Sequence, residues 1–265
     1  MSGEAAASIM YAVVDTVATI AFNRPQVMNA LDAGALLSLR AACERARDDG
    51  AVRAIVLRGN GPAFVAGGDV AWFHANLGTL PALVPGMAGA LHAAIGALRD
   101  AAKPVLASVH GAVAGAGMSL MAAADLAIAA EGTRFSMAYS AIGTSPDGGG
   151  TWFLPRLVGA RRAMELLMLG DPVDAATALR MGLVNRVVPA AELETETARL
   201  ARRLARGPTR AFAETKALVN QAYETPLAAQ LEAEAAAFAR CAATRDFAEG
   251  VSAFVGKRRA DFTGN

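Results

Sequence analysis

Two glycine-rich loops of the same kind constrain most strongly what this chain can fold into. Each follows a short apolar run and leads into a helical pattern: Arg58–Phe73 has the sequence RGNGPAFVAGGDVAWF, and His110–Asp125 has the sequence HGAVAGAGMSLMAAAD. Glycines let a backbone approach a ligand closely, and the first N–H groups of a helix lack partners within it, so such loops bind oxygen anions. Convergent amides of Gly68 and Ala116 would form an oxyanion hole worth about 3 kcal/mol per donor in transition-state stabilisation. Close packing alone is the alternative, because similar turns occur in many parallel α/β proteins.

The pattern around the loops predicts an α/β fold. Apolar and β-branched runs predict strands, whereas apolar positions three and four residues apart predict helices. The predicted strands cover residues 10–22 (two strands joined by a tight turn), 54–57, 104–109, 126–130 and 183–188; the predicted helices cover 32–49, 83–99, a segment from about 117, segments up to about 169, and 175–181. Strands that alternate with helices favour a parallel sheet with crossover connections.

The chain after Pro189 has a different pattern. From Ala190 to Phe262 it is rich in alanine, and its apolar residues have helical spacing. We therefore expect two regions. Residues 1–189 form the core that carries the site, and residues 190–265 form a C-terminal helical region that covers the site and takes part in oligomerisation.

The charge balance and the cysteine pattern argue against several classes of protein. The chain has 25 basic and 24 acidic residues, and no dense Lys/Arg run that would bind nucleic acid or an anionic membrane. Cys43 and Cys241 lie far apart without metal-ligand spacing, and the three histidines show no such spacing either. The sequence has neither a signal-peptide pattern nor 18 uninterrupted apolar residues. We expect a cytoplasmic protein with no metal, nucleic acid or membrane partner.

One carboxylate stands apart from the others. Asp147 lies in the segment IGTSPDGGGTWFLPRLVG and is the only acidic residue between Glu131 and Glu165. By turn chemistry, SPDG is a proline-initiated β-turn in which Asp147 bonds nearby backbone. The alternative is catalytic, because a carboxylate beside an oxyanion hole is the minimum needed to move a proton next to a carbonyl group. A serine nucleophile is set aside, since Ser119 lies in GMSLM, which does not complete a GxSxG elbow.

From Met10 to about Phe262, the chain resembles the crotonase, or enoyl-CoA hydratase/isomerase, superfamily. The motifs that carry the resemblance are AFNRPQVMNALD, AFVAGGDV, HGAVAGAGMSL, SPDGGGTWFLPRLVGARRAMELLMLG and GLVNRVVP. The resemblance implies a crotonase-like fold of repeated ββα units with a C-terminal helical region, assembled as a homotrimer or as a hexamer of paired trimers. It also implies an acyl-CoA thioester substrate and no separate cofactor, because coenzyme A is part of the substrate.

The resemblance also implies roles for individual residues. Gly68 and Ala116 would supply the two backbone N–H groups that hold the thioester oxygen while an enolate forms. The backbone of Ala66 would lie against the adenine. Lys257, in FVGKRR, matches a basic position that in some members lies near the CoA phosphates, sometimes across a subunit boundary; a solvated lysine is the alternative.

Three further positions bear on the reaction. Hydratases of this family carry glutamates at the positions of Ser119 and Tyr139, and neither residue readily replaces a carboxylate. Asp147 coincides with the acidic position of Δ3,Δ2-enoyl-CoA isomerases and of the ring-isomerising enzymes of phenylacetyl-CoA breakdown. The resemblance therefore favours an isomerase that moves a double bond or rearranges a ring epoxide, with Asp147 as acid and base. An enoyl-CoA hydratase, a dehalogenase that uses Asp147 as nucleophile, and a non-catalytic CoA-binding relative stay open.

Overall fold

Residues 7–265, the part of the chain that this computed structural model describes, form nine strands, eleven α-helices and three short 3₁₀ helices. The strands are Ile9–Val14 (β1), Val17–Phe22 (β2), Ala54–Gly59 (β3), Val105–Val109 (β4), Ala112–Ala114 (β5), Leu126–Ala130 (β6), Arg134–Ser136 (β7), Val173–Asp174 (β8) and Arg186–Val188 (β9). The helices are Ala33–Asp48 (α1), Val70–Ala75 (α2), Leu80–Asp100 (α3), Ala116–Ala122 (α4), Gly150–Val158 (α5), Ala160–Leu169 (α6), Ala175–Met181 (α7), Leu193–Ala205 (α8), Thr209–Gln221 (α9), Leu227–Ala242 (α10) and Arg245–Val255 (α11).

The strands form two sheets. The larger has six strands in the order β1-β2-β3-β4-β6-β9, and every neighbouring pair except β1 and β2 is parallel. The smaller has three strands in the order β5-β7-β8. The predicted parallel sheet with helical crossovers is therefore confirmed. Strands β5, β7 and β8 were not predicted, because strands of two or three residues have too few positions to show an alternating pattern.

Several element boundaries follow from local signals in the sequence. The turn between β1 and β2 consists of Asp15 and Thr16, both with positive φ, as in the tight hairpin turns that match the twist of the strands. The carboxylate of Asp32 accepts a hydrogen bond from the amide of Ala35 at 2.8 Å, so α1 begins where the sequence predicted a cap. Helix α7 has its predicted bounds.

Apolar side chains cover both faces of the large sheet. Leu57 on β3 packs with the side chains of α1 and α3 in the main core, whereas Val56 packs with Leu200 and Ala201 of α8 on the other face. Successive strand residues point to opposite faces, so burial on both faces requires continuous apolar runs. This explains why β3 and β4 appear in the sequence without polar alternation.

Helix α3 is long and apolar enough to cross a membrane, by length and composition alone. Its second half packs in the core through Leu91, Ile95 and Leu98, and core helices of soluble proteins pass the same test. The first half, which begins at Leu80, contains none of the buried residues of this helix.

The helices after Pro189 attach to the rest of the chain in two ways. Helix α8 lies on the large sheet, as described above. Helix α9 is joined by Lys216, whose ammonium group donates to the carbonyl of Leu98 at 2.7 Å and pairs with Asp125 at 2.9 Å. Burial lowers the pKa of Lys216, and the nearby Asp125 carboxylate opposes that effect.

Candidate active site

The two glycine-rich loops lie against each other. Strands β3 and β4 are parallel neighbours, so the loops that follow them leave the same edge of the sheet. Val65 forms a bridge with Val113, and the amide of Ala114 donates to the carbonyl of Val65 at 2.9 Å. A methyl group placed on Gly67 would lie 3.7 Å from the Cα of Gly115. The structure therefore brings the two predicted loops into contact.

A hydrogen bond to the preceding carbonyl sets the direction of the Gly68 amide. The amide of Leu31 donates to the carbonyl of Gly67 at 2.8 Å. That carbonyl and the N–H of Gly68 belong to one planar trans peptide, so the N–H points the opposite way, away from Leu31. Among the hydrogen bonds of residues 7–265, none uses the Gly68 amide as donor. It is a free donor held in a fixed orientation.

The Ala116 amide is oriented in the same manner. The carbonyl of Gly115 accepts from the amides of Met118 and Ser119 at 3.0 and 3.1 Å, inside the first turn of α4. The N–H of Ala116 shares its peptide plane with that carbonyl and therefore points out of the helix. Within the described chain this amide also has no acceptor. That the two N–H groups converge on one oxygen stays a prediction.

The close contact of the loops depends on Gly117. A Cβ atom at this position would lie 2.3 Å from the carbonyl oxygen of Val65. For Gly117 itself, the glycine therefore serves close packing, which the sequence offered as the alternative to anion binding. Gly115 has a different reason to be glycine, because its φ of +49° is unfavourable for residues with a side chain.

The segment between β2 and α1 holds the first loop in place through ion pairs and hydrogen bonds. The guanidinium group of Arg24 pairs with Asp32 at 2.9 Å and with Asp69 at 3.0 Å. The side chain of Asn29, which is 1% exposed, donates to the carbonyls of Asn60 and Ala63 at 2.9 and 2.8 Å. No role was predicted for Arg24 or Asn29; the one signal in the sequence was their place in the motif AFNRPQVMNALD.

Asp147 lies in a small cluster of polar side chains beside the second glycine-rich loop. The hydroxyl group of Tyr139 donates to Asp147 Oδ1 at 2.5 Å, and the hydroxyl group of Ser119 donates to the backbone carbonyl of Asp147 at 3.0 Å. A methyl group on Gly115 would lie 3.9 Å from Cε2 and Cζ of the Tyr139 ring. The structure thus brings Ser119, Tyr139 and Asp147 together next to the peptide that presents the Ala116 amide.

The cluster corrects one interpretation of Asp147. The turn spans residues 147–150 rather than the predicted 145–148, since the amide of Gly150 donates to the Asp147 carbonyl at 3.2 Å. The side chain, however, accepts from Tyr139 rather than from nearby backbone. Burial and the neighbouring Asp147 carboxylate raise the pKa of Tyr139, so its phenol stays protonated and remains a donor.

Aromatic residues lie beside Gly68 and beside Gly149, which follows Asp147 in the chain. Phe73, which was not predicted to belong to the site, lies against Gly68: a methyl group on Gly68 would be 2.5 Å from the Cζ of the Phe73 ring. Phe153 is buried and packs edge-to-face on Trp152 at 4.9 Å. The guanidinium group of Arg156 lies 3.8 Å from the centre of the Trp152 ring, so that ring is partly covered by a cation.

The two remaining predicted residues lie in different parts of the fold. Ala66 belongs to the first loop, where its amide donates to the carbonyl of Met28 at 3.1 Å. Lys257 is exposed after α11. The C-terminal segment is joined at Phe262 to Arg53, which directly precedes β3 and so lies at the edge opposite the loops. Within one chain, no hydrogen bond or ion pair of residues 7–265 joins Lys257 to the site.

A groove of about 440 Å³ lies elsewhere, between α8 and the large sheet. Val56 and Leu193 are among its lining residues, and none of the predicted site residues lines it. Arg58, Gly59 and His110, at the start of the two glycine-rich loops, also line it, so the groove reaches the beginning of the loops but not Gly68, Ala116 or Asp147.

Comparisons with known proteins match almost the whole chain to one family. A family model described as enoyl-CoA hydratase/isomerase matches residues 13–265. A Rhodobacter capsulatus protein named "Probable enoyl-CoA hydratase" is 42% identical over 260 residues, which cover 97% of this chain and 98% of that protein. The 1,2-epoxyphenylacetyl-CoA isomerase of Escherichia coli is 35% identical over 249 residues, covering 94% of this chain and 95% of that protein. The crystal structure of an enoyl-CoA hydratase from Polaromonas sp. JS666 matches with a TM-score of 0.91 at 35% identity, covering 96% of this chain and 99% of that one.

Proposed function

Because this chain belongs to the enoyl-CoA hydratase/isomerase family, the crotonase superfamily, we propose that it is an acyl-CoA isomerase that uses Asp147 as its acid and base. The substrate is an unsaturated acyl-CoA thioester, in which the enzyme moves a double bond or rearranges a ring epoxide. The observation that carries the proposal is the position of the Asp147 carboxylate, bonded to Tyr139 beside the loop that presents Ala116.

The reaction proceeds through an enolate. The thioester oxygen accepts hydrogen bonds from the amides of Gly68 and Ala116, which stabilise the negative charge that develops there. Asp147 removes a proton from a carbon along the acyl chain, and the electron pair moves into a dienolate. The protonated Asp147 then returns that proton to a different carbon, so the double bond shifts and the carboxylate is regenerated. Preorganised backbone donors suit this step because they need no reorganisation during the reaction.

The same residues argue against ordinary hydration. Addition of water across a double bond calls for one group that activates the water and another that protonates the α-carbon. Ser119 is 1% exposed and donates to the Asp147 carbonyl, so its hydroxyl is not a base. Tyr139 stays a neutral phenol because burial and Asp147 raise its pKa. One carboxylate is enough for a proton shuttle and serves a two-group hydration poorly.

A hydratase is the second candidate. It is favoured by the 42% identical Rhodobacter relative, whose name is that of an enoyl-CoA hydratase. In that case Asp147 would act on a water molecule, and crotonyl-CoA would be converted rapidly to its 3-hydroxy product. A dehalogenase-type nucleophile at Asp147 would instead release halide from an aryl-CoA.

We also propose that the protein is a homotrimer or a hexamer. Phe238, Phe254 and Val255 on α10 and α11 are 67%, 87% and 77% exposed, which supports burial of these helices against further copies of the chain. In such an assembly Lys257 would lie near the CoA phosphates of a site, across a subunit boundary.

The test is a panel of thioesters assayed with the wild type and with Asp147→Asn. We expect the wild type to convert 3-enoyl-CoA to 2-enoyl-CoA faster than it hydrates crotonyl-CoA. Asparagine keeps the shape of the side chain but cannot take the proton, so kcat should fall by about 10²- to 10⁴-fold.

Asp48→Asn is the matched control, since Asp48 is an exposed carboxylate at the end of α1 whose one side-chain partner among residues 7–265 is the neighbouring Arg47. It should leave kcat unchanged. Isomerisation that survives Asp147→Asn would exclude Asp147 as acid and base. Rapid hydration of crotonyl-CoA with little isomerisation would decide for the hydratase.

A further inference from the structure

The site contains a tyrosine whose role the proposed reaction does not use directly. On the basis of the proposed function, we infer that Tyr139 is a positioning residue: its hydroxyl group holds the Asp147 carboxylate in the orientation needed for proton transfer beside the oxyanion loops. It acts through Asp147 and does not exchange a proton with the substrate.

The contact between the two side chains is short and aimed at one oxygen. Tyr139 Oη lies 2.5 Å from Asp147 Oδ1, a distance typical of a hydrogen bond between a hydroxyl and a carboxylate. Among the hydrogen bonds of residues 7–265, none reaches Oδ2. One carboxylate oxygen is thus fixed by the phenol, and the other is left to accept the substrate proton.

Tyr139 is itself fixed with respect to the oxyanion loop. Its ring contacts the position of Gly115, the residue whose carbonyl shares a peptide plane with the Ala116 amide. The Asp147 backbone is held separately, by the Ser119 hydroxyl at 3.0 Å and the Gly150 amide at 3.2 Å. The phenol therefore controls only the rotation of the carboxylate. Without it, the side chain is free to turn about its own bonds.

The phenol is suited to this role over a wide pH range. Burial and the adjacent Asp147 carboxylate raise the pKa of Tyr139, so the group does not lose its proton near neutral pH. A group that stays protonated cannot act as a base but donates a hydrogen bond throughout.

The experiment measures isomerisation of 3-enoyl-CoA by Tyr139→Phe, which removes the hydroxyl and keeps the ring. We expect kcat to fall by about 10- to 100-fold, the loss typical of one hydrogen bond to a charged group, with KM within about threefold of wild type. The double variant Tyr139→Phe/Asp147→Asn should be no slower than Asp147→Asn alone, because the phenol has no carboxylate left to position.

Tyr11→Phe is the matched control. The Tyr11 hydroxyl is also buried, has no hydrogen-bond partner in the described chain, and lies on β1 outside the site. It should leave kcat unchanged, and thermal unfolding of both variants should show that each is folded.

Three results would overturn the inference. One is wild-type kcat in Tyr139→Phe. Another is a rise in KM with kcat unchanged, which would make Tyr139 a binding residue. The third is an equal further loss in the Asp147→Asn background, which would mean that Tyr139 acts independently of Asp147. Full activity of Asp147→Asn is a different outcome, since it refutes the proposed function itself.

Discussion

The substitution Gly117→Ala tests whether the contact between the two loops sets the geometry of the oxyanion site. The added Cβ would lie 2.3 Å from the carbonyl oxygen of Val65 and 2.7 Å from its Cβ. Real Cβ atoms are essentially never closer than 3.0 Å to another heavy atom, so the contact with the oxygen falls short by about 0.7 Å. Both neighbouring atoms are close to the backbone, so the start of α4 must move away from the loop that carries Gly68.

This displacement has a calculable effect on the rate. It moves the Ala116 amide relative to the Gly68 amide by about 0.7 Å, and a misplacement of about 1 Å at a reacting centre typically costs about 10²-fold in rate. We therefore expect kcat to fall by about 10- to 100-fold. Overpacking should also lower the free energy of unfolding by about 1–3 kcal/mol.

The assay is steady-state isomerisation of 3-enoyl-CoA, combined with urea denaturation at a fixed protein concentration. Gly96→Ala is the control, because Gly96 lies within α3 and an added methyl group would meet no atom within 4 Å. It should keep wild-type kcat and gain about 0.5–1 kcal/mol of stability. Wild-type kcat in Gly117→Ala would refute the argument that this contact sets the positions of the two donors.

Two further predictions concern stability. Asn29→Ala removes hydrogen bonds to Asn60, Ala63 and the Arg24 amide at a position with φ of +59°, so urea denaturation should show a loss of about 3–5 kcal/mol. Asn29→Gly should recover about 1 kcal/mol of that free energy of unfolding. A loss below about 1 kcal/mol for Asn29→Ala would contradict the argument that the Asn29 hydrogen bonds hold the first loop in place. Hydrogen bonds from Arg258 and from the Asp261 amide lower the pKa of Glu249 from 4.5 to about 2. The ionised Glu249 therefore contributes fully to the free energy of unfolding above pH 4.5, and this contribution is lost as the pH falls through 2. The Tm difference between wild type and Glu249→Gln should shrink between about pH 5 and about pH 3; a constant difference would be inconsistent with this pKa.

Local signals were enough to predict most elements of the fold. Asp32 caps α1 because a short acidic side chain accepts from the first free amides of a helix, and this depends on residues a few positions apart. The strands that are buried on both faces appear as apolar runs for the same local reason. Strands β5, β7 and β8 were not predicted because each is too short to show a pattern and is held by pairing within the small sheet.

The residues of the candidate site could be predicted from the sequence, whereas the contacts between them could not. Gly68, Ala116 and Asp147 were identified from loop chemistry and from the family resemblance. The hydrogen bond between Tyr139 and Asp147 joins residues eight positions apart across an irregular segment, where no periodicity predicts the distance. The bridge of Arg24 to Asp69 spans 45 positions and was missed altogether. Lys257 was selected by motif, and its role near the CoA phosphates stays a prediction.

The class of fold, the order of the elements and the two loops with free amides could be read from the chain alone, because caps, turns and apolar periodicity act over a few residues. The directions of those amides, and the choice of which Asp147 oxygen is held, could not. They depend on the Leu31 amide and the Tyr139 hydroxyl, partners that meet the site through packing rather than through proximity in the chain.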